Sequence, residues 1–231
     1  MKLLSTGVRG LDELLDGGMP EKHMIAVIGG MGTGKTTLAL QFLVSGLENG
    51  EKAVYMSLEE QEAEIKESAR SYGWDLQRYI DQGTLALIRL DPNDIKTTLT
   101  RIKSEMPGLI RKFGATRLVV DSITLFEMMF VDEAERRLNL FELSSLLKET
   151  GVTALVTSEA DAKNAYSSRY SLVEYISDGV IILRYVRPDE LRDVKLALEV
   201  VKMRRHRHSR SIKPYDISDN GIVVHSESEV F

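Results

Sequence analysis

The residues whose types and spacing could do chemistry begin at Gly29-Gly30-Met31-Gly32-Thr33-Gly34-Lys35-Thr36, which fits the pattern G-x-x-x-x-G-K-[ST]. Glycines at such positions let successive backbone N–H groups turn inward around phosphates, a lysine neutralises the outer ones, and the hydroxyl after it can face a magnesium ion. Gly30, Met31, Gly32, Thr33, Gly34, Lys35, Thr36 and the adjoining Thr37 are therefore expected to bind a ligand, with Thr36 on the metal. The apolar run Met24-Ile25-Ala26-Val27-Ile28 before the loop reads as a buried strand, and residues 35–47 after it read as a helix with Leu38, Ala39, Phe42 and Leu43 on its apolar face. A helix N-terminus favours negative charge, so strand, loop and helix together predict a nucleoside triphosphate site. A turn without a ligand needs neither the lysine nor the hydroxyl.

Four further acidic residues fall at the ends of three predicted strands. Arg117-Leu118-Val119-Val120-Asp121-Ser122 is an apolar strand closed by an aspartate, which can order magnesium opposite the Thr36 hydroxyl. Residues 53–58 lead into Glu59-Glu60, either of which could polarise a water that attacks a terminal phosphate. Residues 153–157 lead into Ser158-Glu159, and Glu159 could sense whether that phosphate is present. Open α/β sheets bind ligands beyond the carboxyl ends of their strands, where all of these residues would lie.

A chain of 231 residues, 43% apolar, can bury one sizeable α/β core, and residues 1–231 are read as a single domain. Without cysteine there is no disulfide, thiolate metal site or cysteine nucleophile. No apolar run reaches the roughly 18 residues of a membrane span, so a cytoplasmic protein with no membrane partner is expected. The net charge of −5 argues against a general nucleic-acid binder, yet Lys202, Arg204, Arg205, Arg207, Arg210 and Lys213 crowd together with His206 and His208.

Around these positions the expected elements are a short helix over Leu11, Leu14 and Leu15 ended by Gly17-Gly18, a helix over 61–72, a strand over 85–90 and a helix over 95–113 bent or divided at Pro107-Gly108. The sole tryptophan, Trp74, reads as a packing residue. Phe126, Met128, Met129 and Phe130 form an apolar cluster, read first as a core or subunit-interface stripe, ahead of a helix over 132–149, and residues 161–170 read as a mobile loop on the ligand side. Strands over 180–186 and 194–203, turned by Arg187-Pro188-Asp189-Glu190, and a hairpin over 213–224 extend the sheet with antiparallel strands.

Taken in order, Ser5-Thr6-Gly7-Val8-Arg9-Gly10-Leu11-Asp12-Glu13-Leu14, the loop at 29–36, Ser57-Leu58-Glu59-Glu60, Asp121-Ser122, Thr157-Ser158-Glu159, Asp178-Gly179-Val180, Lys202-Met203-Arg204 and Pro214-Tyr215-Asp216-Ile217 span nearly the whole chain. In this combination the sequence resembles the KaiC-like ATPases of the RecA/RadA superfamily, and especially the single-domain archaeal KaiC-like proteins. The resemblance implies a RecA-like P-loop core, a mixed, mostly parallel sheet flanked by helices, with ATP or ADP and Mg2+ as ligands. It also implies a homo-oligomeric ring, commonly hexameric, with ATP between subunits. Carried onto this chain, Glu59 and Glu60 resemble the paired catalytic glutamates, Asp121 the magnesium-ordering acid, and Lys202 and Arg204 a basic pair that reaches the neighbour's γ-phosphate. Arg205-His206-Arg207 stands where relatives often carry glycine or small polar residues, and Met31 where proline is frequent. With one P-loop domain, the chain is not expected to share the autophosphorylation of the duplicated clock ATPase.

Three functions follow as expectations. The first is a slowly hydrolysing, ring-forming regulatory or recombination-related ATPase. The second is a RadA-like protein binding single-stranded DNA through Lys163, Tyr166, Arg169 and Tyr170. The third is a nucleotide-gated scaffold contacting a protein partner through residues 126–130.

Overall fold

Apolar runs of five or six residues, too short for a helix and flanked by turn formers, become the central strands. Their side chains are buried on both sides, which is why they read as continuous rather than alternating. The computed structural model describes residues 2–91, 93–186 and 194–230; the turn expected at Arg187-Pro188-Asp189-Glu190 lies outside the described residues. In chain order the elements are β1 (Leu3–Leu4), α1 (Leu11–Leu14), β2 (Met19–Pro20), β3 (Met24–Gly29), α2 (Lys35–Glu48), β4 (Ala53–Ser57), α3 (Glu62–Ser71), α4 (Leu76–Asp81), β5 (Leu85–Arg89), α5 (Ile95–Thr100), α6 (Met106–Phe113), β6 (Arg117–Asp121), α7 (Ile123–Met128), α8 (Glu133–Thr150), β7 (Thr153–Glu159), α9 (Val173–Ile176), β8 (Gly179–Val186), β9 (Lys195–Met203), β10 (Lys213–Ser218) and β11 (Gly221–Val224).

Nine strands form one mixed sheet in the order β11-β10-β9-β8-β3-β7-β6-β4-β5. The pairings among β3 to β8 are parallel, and β9, β10 and β11 are added antiparallel. This is the expected fold class, a mostly parallel sheet flanked by helices with antiparallel strands at its C-terminal edge. Register aligns the carboxyl ends, since Gly29 pairs with Glu159 and Ser57 with Asp121. The strand-end acids are thus brought to one rim by hydrogen-bond register.

The period of two along β3 divides its side chains between two cores. Ile25 and Val27 join Phe42, Leu38 and Leu43 of α2, while Met24, Ala26 and Ile28 join Leu140, Leu143 and Leu147 of α8. Arg117 is buried in the first of these layers and fully engaged. It reaches Glu51 through Nε at 3.0 Å and Nη2 at 2.9 Å, donates to the carbonyls of Ser5 and Phe42, and lies 4.6 Å over the Phe42 ring. It pins α2, and with it the loop that α2 follows, to the sheet.

The helix expected over 95–113 is divided earlier than Pro107-Gly108 suggests. A π-helical turn, Arg101–Glu105, separates α5 from α6, and Pro107 falls in the first turn of α6. A proline lacks an N–H and is tolerated in a first turn, so the irregularity is displaced one turn upstream. Trp74 packs against the first core, tilted against Tyr72 with ring centroids 5.0 Å apart, as a packing residue should.

Candidate functional site

Above the carboxyl ends of β3, β7, β6 and β4 lies a cavity of about 410 Å3 lined by Gly30, Met31, Gly32, Lys35, Thr36, Ser57, Glu59, Glu60, Asp121, Ser122, Glu159 and Ala160. The loop, both glutamates after β4, Asp121 and Glu159 therefore share one cavity. A second, smaller cavity of about 310 Å3 shares Gly32, Lys35 and Thr36 and extends to Gly34, Thr37, Tyr72 and Ile217. Thr37 faces this side, its hydroxyl 3.1 Å from the Tyr72 hydroxyl.

The loop's conformation is set by its glycines. Gly32 and Gly34 have φ of 74° and 86°, in the region that side chains disfavour, and a Cβ on Gly34 would lie 2.8 Å from Ile217. The Gly30 carbonyl accepts from the Thr33 hydroxyl at 2.8 Å and from the Lys35 ammonium at 2.9 Å. Among the described residues, the backbone N–H groups of Gly32, Thr33, Gly34, Lys35 and Thr36 have no protein acceptor. A row of free N–H donors at the start of a fourteen-residue helix, beside a lysine, is an arrangement that suits an anion. The Lys35 pKa is lowered by burial, against the opposing pull of Asp121, Glu159 and Glu59.

Asp121 is the hub of the acidic side. One carboxylate oxygen accepts from the Thr36 hydroxyl at 2.8 Å and from the Tyr55 hydroxyl at 2.6 Å, and the other accepts from Thr157. Its carbonyl also takes the Leu58 N–H at 2.9 Å, which fixes the chain entering Glu59-Glu60. The Ser57 hydroxyl completes that turn by donating to the Glu60 carbonyl at 2.7 Å. The peptide bond between Asp121 and Ser122 is cis. Tyr55 is pushed well above its ordinary pKa by burial and by Asp121. Burial, then the charge of Asp121, raises both Glu59 and Glu60. Glu60 also carries a buried carboxylate oxygen, Oε2, without a hydrogen-bond partner.

These donors suit magnesium, a hard cation that takes one or two carboxylates, a hydroxyl and substrate phosphates rather than a protein cage. Thr36 and Asp121 offer oxygen only, and a dication beside them would relieve the repulsion that adds to burial in raising Glu59 and Glu60. Among the described residues no group of three or more histidines and carboxylates is arranged as a metal cage. Glu159 is half exposed and held by Arg169 at 2.9 Å, while its N–H bonds the Thr124 hydroxyl.

Lys202 and Arg204 lie elsewhere. Lys202 pairs with Val180 at the start of β8, and the Arg204 N–H bonds the Asp178 carbonyl, so both sit at the amino end of the parallel strands. Six residues of β3 separate that end from the loop, about 20 Å at 3.3 Å per residue. Neither can serve its own chain's cavity. The Lys202 ammonium donates to the carbonyls of Glu174 at 2.8 Å and Ser177 at 2.6 Å, and its pKa is lowered by burial and by Arg204. The Arg204 guanidinium, 46% exposed, meets Asp178 at 3.4 Å and the Tyr175 carbonyl at 3.1 Å.

One surface expectation changes, and one apolar cluster takes the core reading expected of it. Phe126, Met129 and Phe130 are core residues, and only Met128 of that cluster is exposed, because α7 turns the apolar side inward. Residues 126–130 therefore offer a partner little surface. The loop at 161–170 is tied down, with Ser167 and Ser168 donating to Glu174, Arg169 bound to Glu159, and Arg136 lying 4.0 Å over Tyr170. Of the four residues expected to meet DNA, Lys163 and Tyr166 stay exposed without an ion pair, although Tyr166 is covered on one face by Arg184.

A family profile described as "ATPase: KaiC" matches residues 4–229. The circadian clock protein KaiC3 of Synechocystis sp. is 33% identical over 229 residues, covering 96% of this chain and 45% of its own length. The circadian clock oscillator protein KaiC of Prochlorococcus marinus subsp. pastoris is 35% identical, covering 96% of this chain and 44% of its own. The chain thus spans less than half the length of these curated relatives. The crystal structure of a KaiC-like protein from the hyperthermophilic archaeon Pyrococcus horikoshii superposes with a TM-score of 0.85 at 35% identity, over 97% of this chain and 99% of that one.

Proposed function

The chain belongs to the KaiC family of ATPases, and from that premise we propose that it binds magnesium ATP over residues 29–36 and hydrolyses it slowly, as a ring, commonly of six, whose subunits share each site. The observation that carries this reading is the Thr36 hydroxyl held 2.8 Å from Asp121, at the mouth of a loop whose N–H groups are free. Triphosphate in the larger cavity would leave the nucleoside toward Tyr72 and Ile217 in the smaller one.

In this account Lys35 exchanges the Gly30 carbonyl for the outer phosphates. Magnesium, when bound by Thr36 and Asp121, supplies charge neutralisation on those phosphates. Glu60, with its unpartnered carboxylate oxygen, accepts a proton from the attacking water, and Glu59 stands beside it. Glu159, held by Arg169, lines the terminal-phosphate side.

The missing positive charge comes from a neighbour. Arg204 borders a cavity of about 700 Å3 with Arg137, Lys148, Phe141 and Tyr175, and the last two are 63% and 72% exposed. An exposed apolar face with a basic rim suits a subunit contact. Arg204 is half exposed and would leave a 3.4 Å contact with Asp178 and the Tyr175 carbonyl to reach across, whereas Lys202 must leave two carbonyls. Phosphate release from magnesium ATP tests the reading: the wild type should exceed background by far, and Lys35→Ala should abolish release. Equal release from the two proteins would contradict it.

A further inference from the structure

Resting on the reading of residues 29–36 as a nucleotide site, we propose that Tyr215 is the positioning residue of the phosphate loop, its hydroxyl fixing the peptide between Thr33 and Gly34 so that the Gly34 N–H faces the ligand. Tyr215 belongs to β10, far along the chain from the loop, and is paired on both sides, with Leu196 of β9 and Val224 of β11. It is 1% exposed, so its ring has one place to sit. Its hydroxyl donates to the Thr33 carbonyl at 2.5 Å.

A trans peptide is planar, and its C=O and N–H point in opposite directions. Tying the Thr33 carbonyl to the hairpin therefore turns the Gly34 N–H away from the hairpin, and no protein acceptor takes it among the described residues. The constraint is needed at this peptide in particular. Glycine adopts positive and negative φ with similar ease, and Gly34 has a φ of 86°. A flip of the 33–34 peptide would thus meet little local resistance, and it would present a carbonyl dipole where an N–H donor is wanted. Ile217 and Ile222 close on Gly34 from the same hairpin, 2.8 Å and 3.2 Å from where a Cβ would stand. Gln41 of α2 locks the hairpin to the other side of the loop, accepting the Ile222 N–H at 2.8 Å. The antiparallel edge of the sheet is in this way a mould for the loop.

Tyr215→Phe removes the hydroxyl and keeps the ring. Binding of magnesium ADP by titration calorimetry should weaken by about tenfold, while the melting temperature of the ligand-free protein stays within a few degrees of wild type. Placing 4-aminophenylalanine at position 215, which retains a donor, should recover most of the affinity. Unchanged affinity in Tyr215→Phe would overturn the proposal. So would a ligand-free protein that melts far lower or fails to fold, which would assign Tyr215 to the core alone. If the wild type itself bound no nucleotide, the reading of the site would fail first, and the two failures are distinguishable.

Discussion

At the scale of single residues, the site is a balance between one lysine and four carboxylates. Burial and the charge of Asp121 hold Glu60 above its ordinary value of 4.5. A base works only when deprotonated, so hydrolysis should fall as the pH drops through a value above 4.5. Glu60→Gln should lower kcat by about a hundredfold or more and remove that acid limb; a pH–kcat profile checks both. A second carboxyl, Glu127, lies outside the site on α7, fully buried with neither oxygen bonded. Burial raises its pKa to about 8, opposed by Arg136 of α8 and reinforced by Glu174 of α9. The folded state therefore holds a proton that the unfolded chain releases near 4.5, and the stability so gained is present below 4.5 and lost as pH rises through about 8. Between urea melts at pH 5 and pH 9, the wild type should lose roughly 4 kcal/mol relative to Glu127→Gln.

At the scale of elements, α2 carries the consequence of the loop, and its grip on the sheet is the buried guanidinium of Arg117. Gly46 makes room for it, since a Cβ there would stand 2.3 Å from the Arg117 Nε. Alanine usually gains up to about 1 kcal/mol over glycine within a helix, but Gly46→Ala should instead destabilise by about 2–4 kcal/mol, because Arg117 would be forced from Glu51 and two carbonyls. Thermal or urea unfolding measures the sign. The loop, its strand and its helix were legible because one motif requires all three, and the strand-end acids because apolar runs stop where the rim begins. Elements below the reach of periodicity were not: β1 and β2 have two residues each, α4 six, and α7 hides in an apolar run that suits either state. Tertiary partners were equally invisible. Nothing near Tyr215 announces Thr33, nothing near Arg117 announces Gly46, and the loop at 161–170 reads as mobile because the Arg136 that lies over its Tyr170 is a tertiary partner.

At the scale of the molecule, the sheet separates the two kinds of charge. The carboxyl ends of its parallel strands gather the acids and the phosphate loop, while the amino ends hold Lys202 and Arg204, about 20 Å away along β3. No side-chain rotation joins them within one chain, and the shared site proposed above takes its Arg204 from a second copy. The most direct measurement mixes two inactive proteins, Lys35→Ala and Arg204→Ala, and follows phosphate release from magnesium ATP. Mixed assemblies contain interfaces where an intact loop meets an intact Arg204, so activity should reappear on mixing and be greatest near equal amounts. Mixed assemblies that form yet stay inactive at every ratio would contradict a site shared between subunits.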